Sequence, residues 1–313
     1  MRALVTGVAG QDGSLLAELL LAEGHEVWGM VRGDGPAPDG VRAVRGDLLD
    51  PASLRRAVAE ARPQRLFHLA APSFVPRSWD EPVETFSAIA GATAVLLDAA
   101  LGADPAVRVF IASSGEIFGD AGEAPQRETT GCRPRTPYGV AKLAQLHLAR
   151  VWRDQRGAHV SCGIAYNHES ERRPLQFVTR KITAGAAAIA LGRQDELTLG
   201  DLDAVRDWSA ARDIVRAAAL MLEQDEPDDY VLASGRGRTV RELVDAAFAA
   251  AGADPAGRVR IDPAFARPRE ATPQIGDPSK ARERLGWEPT VSFEELVGQM
   301  VRADLARLRE QAA

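Results

Sequence analysis

The stretch Thr6-Gly7-Val8-Ala9-Gly10-Gln11-Asp12-Gly13 confines this chain more than any other. Its glycines recur at every third position, between an apolar run at 3–5 and a helical repeat (Leu15, Leu16, Leu19, Leu20) that stops near Gly24. Gly7 permits a tight turn, Gly10 lets a pyrophosphate approach the backbone, and Gly13 lets the helix pack on the strand. The helix N-terminus then turns free N–H groups and a positive dipole end toward the phosphates. A glycine turn alone is a weak signal; between a strand and a helix it specifies a dinucleotide site.

The pattern that follows agrees. Strands are predicted at 26–31, 41–44, 66–69, 107–112, 160–165 and 230–233. Between them lie helical repeats: one that Ser53 can cap and that ends near Ala61, and longer ones at 83–101 and 138–155. Alternating strands and helices imply an α/β fold, a Rossmann-like doubly wound parallel sheet with ligands at the carboxyl ends of its strands. Residues 166–204 and 234–313 lack this alternation, apart from an Ala-rich helix at 184–190, and carry many Pro, Arg and Asp. They are read as a smaller C-terminal substrate lobe, and 1–165 plus about 205–233 as the dinucleotide-binding domain.

Composition removes other classes. At 313 residues and 45% hydrophobic content the chain can bury a sizeable core. Lys plus Arg is 38 against 44 for Asp plus Glu, and no basic run offers a nucleic-acid surface. No apolar run is read as reaching the roughly 18 residues of a membrane helix, so no membrane partner is expected. Two cysteines cannot make a disulfide scaffold, and the N-terminus enters the first strand without a signal-peptide pattern. A cytoplasmic setting and no metal are expected.

The second strand ends Gly29-Met30-Val31-Arg32. An NAD site usually ends this strand with a carboxylate for the ribose hydroxyl. Arg32 instead suits a 2′-phosphate, so NADP is favoured, with NAD left open. Asp47 follows the third strand, where it can meet the adenine amine or cap the next helix. Tyr138 and Lys142, four apart on a helix, share one face. An ammonium beside the phenol is expected to lower its pKa toward working pH, making Tyr138 a general acid/base for an alcohol–carbonyl interconversion. Ser113-Ser114-Gly115-Glu116 closes the fifth strand, where Ser114 can hold the substrate oxygen. Glu116 is a carboxylate that a plain dehydrogenase does not need.

These motifs resemble the extended short-chain dehydrogenase/reductases, and further stretches narrow the match. Gly10-Gln11-Asp12-Gly13-Ser14, Tyr166-Asn167-His168-Glu169-Ser170-Glu171-Arg172-Arg173, Phe177-Val178-Thr179-Arg180-Lys181-Ile182, Arg206-Asp207-Trp208 and Gly276-Asp277-Pro278-Ser279-Lys280-Ala281 are similar to the GDP-mannose 4,6-dehydratase family over nearly the whole chain. The resemblance implies transient oxidation at carbon 4 with bound NADP, Glu116 as the base at carbon 5, loss of water from carbon 6, and a 4-keto-6-deoxy sugar as product. It implies a cofactor site that also takes in Gln11, Asp12, Leu48, Leu69, Ala70, Ala71, His168 and Arg173. It places the nucleotide sugar against Ser73, Asn167, Lys181, Arg206, Arg267 and Glu270.

The chain departs from the family in three places. Ser114-Gly115-Glu116 stands where Thr-Ser-Glu is usual, and the absent side chain at Gly115 is expected to change the fit around the sugar. Ala70-Ala71-Pro72-Ser73-Phe74-Val75 stands where Gln-Ser-His is usual. Gly33-Asp34-Gly35-Pro36 lacks the second Arg and the longer loop that reaches neighbouring cofactors. A homodimer through 83–101 and 138–155 is therefore expected in preference to a tetramer. The competing readings are a nucleotide-sugar 4-epimerase or 4-keto reductase, which needs no Glu116, and a non-catalytic NADP-binding sensor.

Overall fold

The computed structural model describes residues 1–262 and 272–311. Its strands are β1 (Arg2–Thr6), β2 (Glu26–Val31), β3 (Arg42–Arg45), β4 (Arg65–His68), β5 (Arg108–Ser114), β6 (Val160–Ala165), β7 (Asn167–Glu169), β8 (Leu197–Leu199), β9 (Val205–Ala210), β10 (Asp229–Leu232), β11 (Gly237–Thr239) and β12 (Val259–Ile261). Its helices are α1 (Gln11–Ala22), α2 (Pro51–Ala61), α3 (Arg77–Asp80), α4 (Pro82–Phe86), α5 (Ala92–Ala103), α6 (Pro137–Arg156), α7 (Val178–Ala190), α8 (Ala211–Met221), α9 (Val240–Ala251), α10 (Ser279–Leu285) and α11 (Phe293–Glu310). Seven strands form one parallel sheet in the order β10-β6-β5-β4-β1-β2-β3. This is the expected doubly wound Rossmann-like sheet. Its order reverses at β1 and β4, where such folds open a crevice for ligands.

Both faces of the sheet are apolar because crossover helices cover both. Leu4, Leu66, Val109 and Ile111 point to one side, toward α2, α5 and α6; Ala3, Val5, Phe67 and Phe110 point to the other, toward α1 and α8. Helix α1 buries Leu15, Leu16 and Leu20 at helical spacing. The cap of α2 is Asp50, whose side chain accepts from the Ala52 and Ser53 N–H groups at 3.0 and 3.2 Å. Ser53, expected as the cap, sits inside the first turn, where Pro51 fills the position that needs no donor.

The predicted helix at 83–101 is α4, a π-helical turn at Ser87–Gly91, and α5. Together Pro82–Ala103 gives 22 helical residues with a mean hydropathy of 1.6 in its most apolar window, so this run is long and apolar enough to span a membrane by length and composition. That corrects the expectation of no such run. Here Ile89, Leu96 and Leu97 are buried at 1% exposure or less, which is how a crossover helix uses the same composition.

Beyond β6 the chain builds a second apolar cluster from α7, β8, α9 and α11, around Ile182, Leu199, Leu243, Phe248 and Val301. Two small sheets, β11-β9-β7 and β12-β8, join it. The segment around α10 does not pack there, although its numbers fall in the stretch read as the substrate lobe. Ala281, Leu285 and Trp287 lie in the cluster beneath the main sheet, and Trp287 Nε1 donates to the Asp213 carbonyl at 2.8 Å.

Candidate active site

The glycine turn joins β1 to α1 at the reversal of the strand order. Gly7 has φ +72°, and a Cβ there would stand 3.0 Å from the Ala70 backbone. A Cβ on Gly13 would stand 2.1 Å from the Gly7 carbonyl oxygen. The turn is thus closed on the protein side by backbone, and Gly10 caps α1 with no side chain over the helix N-terminus. This cradle fits the pyrophosphate of a dinucleotide.

A hydrogen-bonded chain braces the turn from below. The Thr6 hydroxyl accepts from the Leu69 and Ala70 N–H groups at 3.1 Å each and meets His68 Nδ1 at 2.9 Å. With both lone pairs used, Thr6 donates to His68. Nε2 of His68 then donates to Thr93 Oγ1 at 3.1 Å, and Thr93 donates to the Ile89 carbonyl inside the π turn. Gln145 of α6 adds a bond to Thr93 at 2.6 Å. Burial, with Lys142 nearby, pushes His68 down to about 3, so it stays neutral. No sequence motif pointed to this network; its one visible sign was a histidine inside an apolar strand.

Helix α6 starts just before Tyr138 and turns Tyr138 and Lys142 to one face. Thr136 caps it, accepting from the Gly139 N–H at 3.0 Å, and Pro137 takes the first position. Tyr138, Ala141, Lys142 and Gln145 then share the buried face. Lys142 Nζ donates to the Ala112 carbonyl at 2.6 Å and lies 5.7 Å from the Tyr138 ring centre. Burial lowers Lys142 to about 8. The Tyr138 phenol, expected to be lowered, is pushed up to about 12 instead. Burial dominates; a hydrogen bond from Ser114 and the Arg173 charge pull it down, while Glu116 and Asp12 push it up. In this state Tyr138 is therefore a protonated phenol.

Ser114 also caps the short turn Gly115–Ile117 that carries Glu116. The space left by the missing side chain of Gly115 is bounded by a neighbouring ring. A Cβ there would meet the Tyr166 ring at 3.2 Å, and Tyr166 is buried with its hydroxyl donating to Gln126 Oε1 at 2.7 Å. Glycine at this position lets Tyr166 pack beneath the turn.

The two motif-rich stretches of the sequence meet at the glycine turn. Gln11 Nε2 donates to Asp12 Oδ1 at 3.0 Å and to the His168 carbonyl at 3.1 Å, and Ser170 donates to Gln11 Oε1 at 2.9 Å. His168 Nδ1 lies 2.7 Å from the Tyr166 carbonyl and Nε2 lies 2.9 Å from Asp12 Oδ2. Both ring nitrogens face acceptors, so the ring is an imidazolium. Burial opposes charge on either partner, but their mutual attraction prevails: His168 is raised from 6.5 and Asp12 lowered from 3.8. Arg172 reinforces the join through Ser14 and Glu18.

One cleft of about 1510 Å³ opens over the glycine turn and the start of α6. It brings together Gly7, Gly10, Gln11, Asp12, Gly13, Leu69, Ala70, Ala71, His168 and Arg173 with Ser114, Glu116, Tyr138 and Lys142. Arg32, exposed, lies with Asp47 and Leu48 along one stretch of its wall. Asp47 neither caps α2 nor stands idle; its Oδ1 accepts from the Leu49 N–H at 2.9 Å. Ser73, Asn167, Lys181 and Arg206 line the cleft as well. Arg267 and Glu270 lie outside the described residues. Asp207, beside Arg206, is fully buried and accepts from Ser234, Gly235 and Gly276, tying three segments together. Its specificity in the sequence pattern reflects this structural knot.

Comparison with known proteins agrees with this geometry. The profile of the GDP-mannose 4,6 dehydratase family matches residues 4–300. A GDP-mannose 4,6-dehydratase of Yersinia enterocolitica is 39% identical over 99% of this chain and 95% of its own. GDP-mannose 4,6 dehydratase 1 of Arabidopsis thaliana is 41% identical over 97% and 89%. Among solved structures, a UDP-glucose 4-epimerase of Thermus thermophilus in complex with NAD superposes with a TM-score of 0.85 at 31% identity, covering 97% and 99% of the two chains. That neighbour holds a nicotinamide cofactor in a similar fold. The chain belongs to the GDP-mannose 4,6-dehydratase family.

Proposed function

We propose that this chain is an NADP-dependent nucleotide-sugar 4,6-dehydratase that converts GDP-mannose to GDP-4-keto-6-deoxy-mannose. The observation that carries the reading is Glu116 in the same cleft wall as Ser114, Tyr138 and Lys142. Oxidation at carbon 4 leaves that carboxylate without work; elimination needs it.

When bound, the dinucleotide supplies two-electron oxidation and reduction. The protein does the rest. Ser114 holds the oxygen at carbon 4, and Tyr138 takes its proton. Burial opposes the phenolate that this requires, whereas Ser114 and the Arg173 charge favour it. The ketone acidifies the hydrogen on carbon 5, and Glu116 removes it. Of the two protons collected, one departs with the carbon 6 hydroxyl as water and the other returns to carbon 5. Carbon 6 ends as a methyl group, and the net change is loss of one water. Asn167, Lys181 and Arg206 hold the nucleotide diphosphate; the positive charges offset its anionic character. Arg32 favours the 2′-phosphate of NADP.

The assembly we propose is a cytoplasmic homodimer. Trp79, Val83 and Phe86 are exposed on α3 and α4, at 64, 78 and 47%, and Val140 and Val151 are exposed on α6. An apolar patch of this kind on adjacent helices marks a protein interface.

The test is to incubate the purified protein and NADP or NAD with a panel of nucleotide sugars, reading products by mass. Water loss from GDP-mannose is the expected result. Glu116→Gln should stop it while cofactor binding is unchanged; dehydrated product at the normal rate from that variant would refute the mechanism. Epimerised product would support the runner-up, a 4-epimerase.

A further inference from the structure

The loop after β4 and the start of α7 meet across the cleft. Phe74 and Phe177 stand edge to face, with ring centres 5.8 Å apart and planes at 88°. Arg173 lies over the Phe177 ring, its guanidinium carbon 3.7 Å from the ring centre. The arginine is held in turn by Glu169, at 3.3 Å, and Glu169 by the Thr179 hydroxyl at 2.6 Å. Both rings and the arginine line the cleft.

The position of this stack relative to the chemistry follows from its neighbours. Ala71 and Val75, on either side of Phe74, pack on the cluster of Ile89, Tyr138 and Ala141. Arg173 acts electrostatically on both Tyr138 and Asp12, so its guanidinium lies near both groups. The stack is thus the one place where the wall behind the catalytic tyrosine touches the wall of the other lobe through aromatic side chains among the described residues. Neither phenylalanine can hydrogen-bond a sugar hydroxyl. Both can exclude water and block a path.

We propose that Phe74, Phe177 and Arg173 form a barrier across the sugar end of the cleft that retains the oxidised sugar until water has left. The inference rests on the dehydratase reading. After carbon 4 gives two electrons and a proton to the dinucleotide and a proton to Tyr138, the ketone is a complete molecule, two hydrogens lighter than the substrate. If it escapes, the reduced dinucleotide is stranded and the enzyme stalls. A dehydratase therefore needs a device that makes escape slower than elimination, and an interlobe aromatic contact supplies one without hydrogen-bonding groups that would compete for the sugar.

The test compares Phe74→Ala, Phe177→Ala and the conservative Phe74→Tyr with the wild type, all loaded with NADP and given GDP-mannose. Three readouts are taken: dehydrated product, a released 4-keto sugar that keeps its carbon 6 oxygen, and reduced dinucleotide left on the protein. Dissociation of GDP-mannose is measured separately by stopped flow without cofactor. Both alanine variants should release the undehydrated ketone, strand reduced dinucleotide in equal amount, and lose GDP-mannose about tenfold faster, the scale of one aromatic pair. Phe74→Tyr should behave as wild type. Alanine variants that partition and dissociate as the wild type does would overturn the barrier. A wild type that dehydrates no nucleotide sugar would instead refute the dehydratase reading.

Discussion

The two ends of the cleft are made of different materials. At the end proposed for the cofactor, the surfaces around the glycine turn are backbone: the turn itself, the N-terminus of α1, and the β4 loop held by Thr6. At the end proposed for the sugar, the surfaces are long side chains from loops and from the second lobe, such as Lys181, Arg206 and Phe177. Backbone geometry tolerates no substitution but carries little discrimination, because every dinucleotide has the same pyrophosphate. Side chains on loops discriminate and can be exchanged, as Phe74 illustrates. On the proposed reading, ligand class is fixed at one end and ligand identity at the other.

The sharpest test of that contrast is Gly13→Ala. The added Cβ would meet the Gly7 carbonyl oxygen at 2.1 Å, and neither backbone segment can yield without opening the turn. We expect a loss of about 3 kcal/mol of stability, the upper end of overpacking costs, and no measurable dinucleotide binding. Urea unfolding and dinucleotide titration check both. Wild-type binding by this variant would break the comparison, since the turn would then not be backbone-limited.

A smaller effect is expected at the join between the ends. His168→Gln removes the charge that Asp12 faces, at a cost of about 1.5–3 kcal/mol for a hydrogen bond between charged groups. Because His168 is raised in the folded protein, its contribution is complete below about 6.5 and is lost as pH rises through the elevated value. Because Asp12 is lowered, its contribution is complete above about 3.8 and is lost as pH falls. The stabilising window thus lies between these values. Thermal melts across pH should show wild-type stability declining on the alkaline side of it, and the decline should be absent in His168→Gln.

This division also explains what could be read in the sequence. Strand–helix alternation and the glycine turn follow from local periodicity and sterics, so the sheet and the turn between β1 and α1 were legible. The Tyr138–Lys142 pair was legible because helical spacing fixes which residues share a face. Its electrostatics were not. Burial of Tyr138 and proximity to Glu116 depend on the packing of β5 and α6, and they outweigh what spacing suggests. The Thr6–His68–Thr93–Gln145 network joins residues far apart in the chain, and no local pattern encodes it. Phe177 was visible only as part of a motif, because its partner Phe74 lies across the cleft.

Arg32 sits where backbone and side chain share the work, and its replacement should have the smallest effect. It is exposed at the end of β2 and lines the cleft wall near Asp47, while Arg45 on β3 is occupied by the Gly33 and Gly35 carbonyls and Asp34. Any grip on a 2′-phosphate from this edge therefore falls on Arg32. An exposed cation contributes little more than about 1 kcal/mol, because water screens it. Arg32→Ala should accordingly weaken NADP binding by about fivefold to tenfold and leave NAD binding unchanged, as measured by titration with each dinucleotide at fixed salt. Equal weakening of both would mean that Arg32 shapes the loop rather than reading the phosphate, and that cofactor choice lies in the backbone after all.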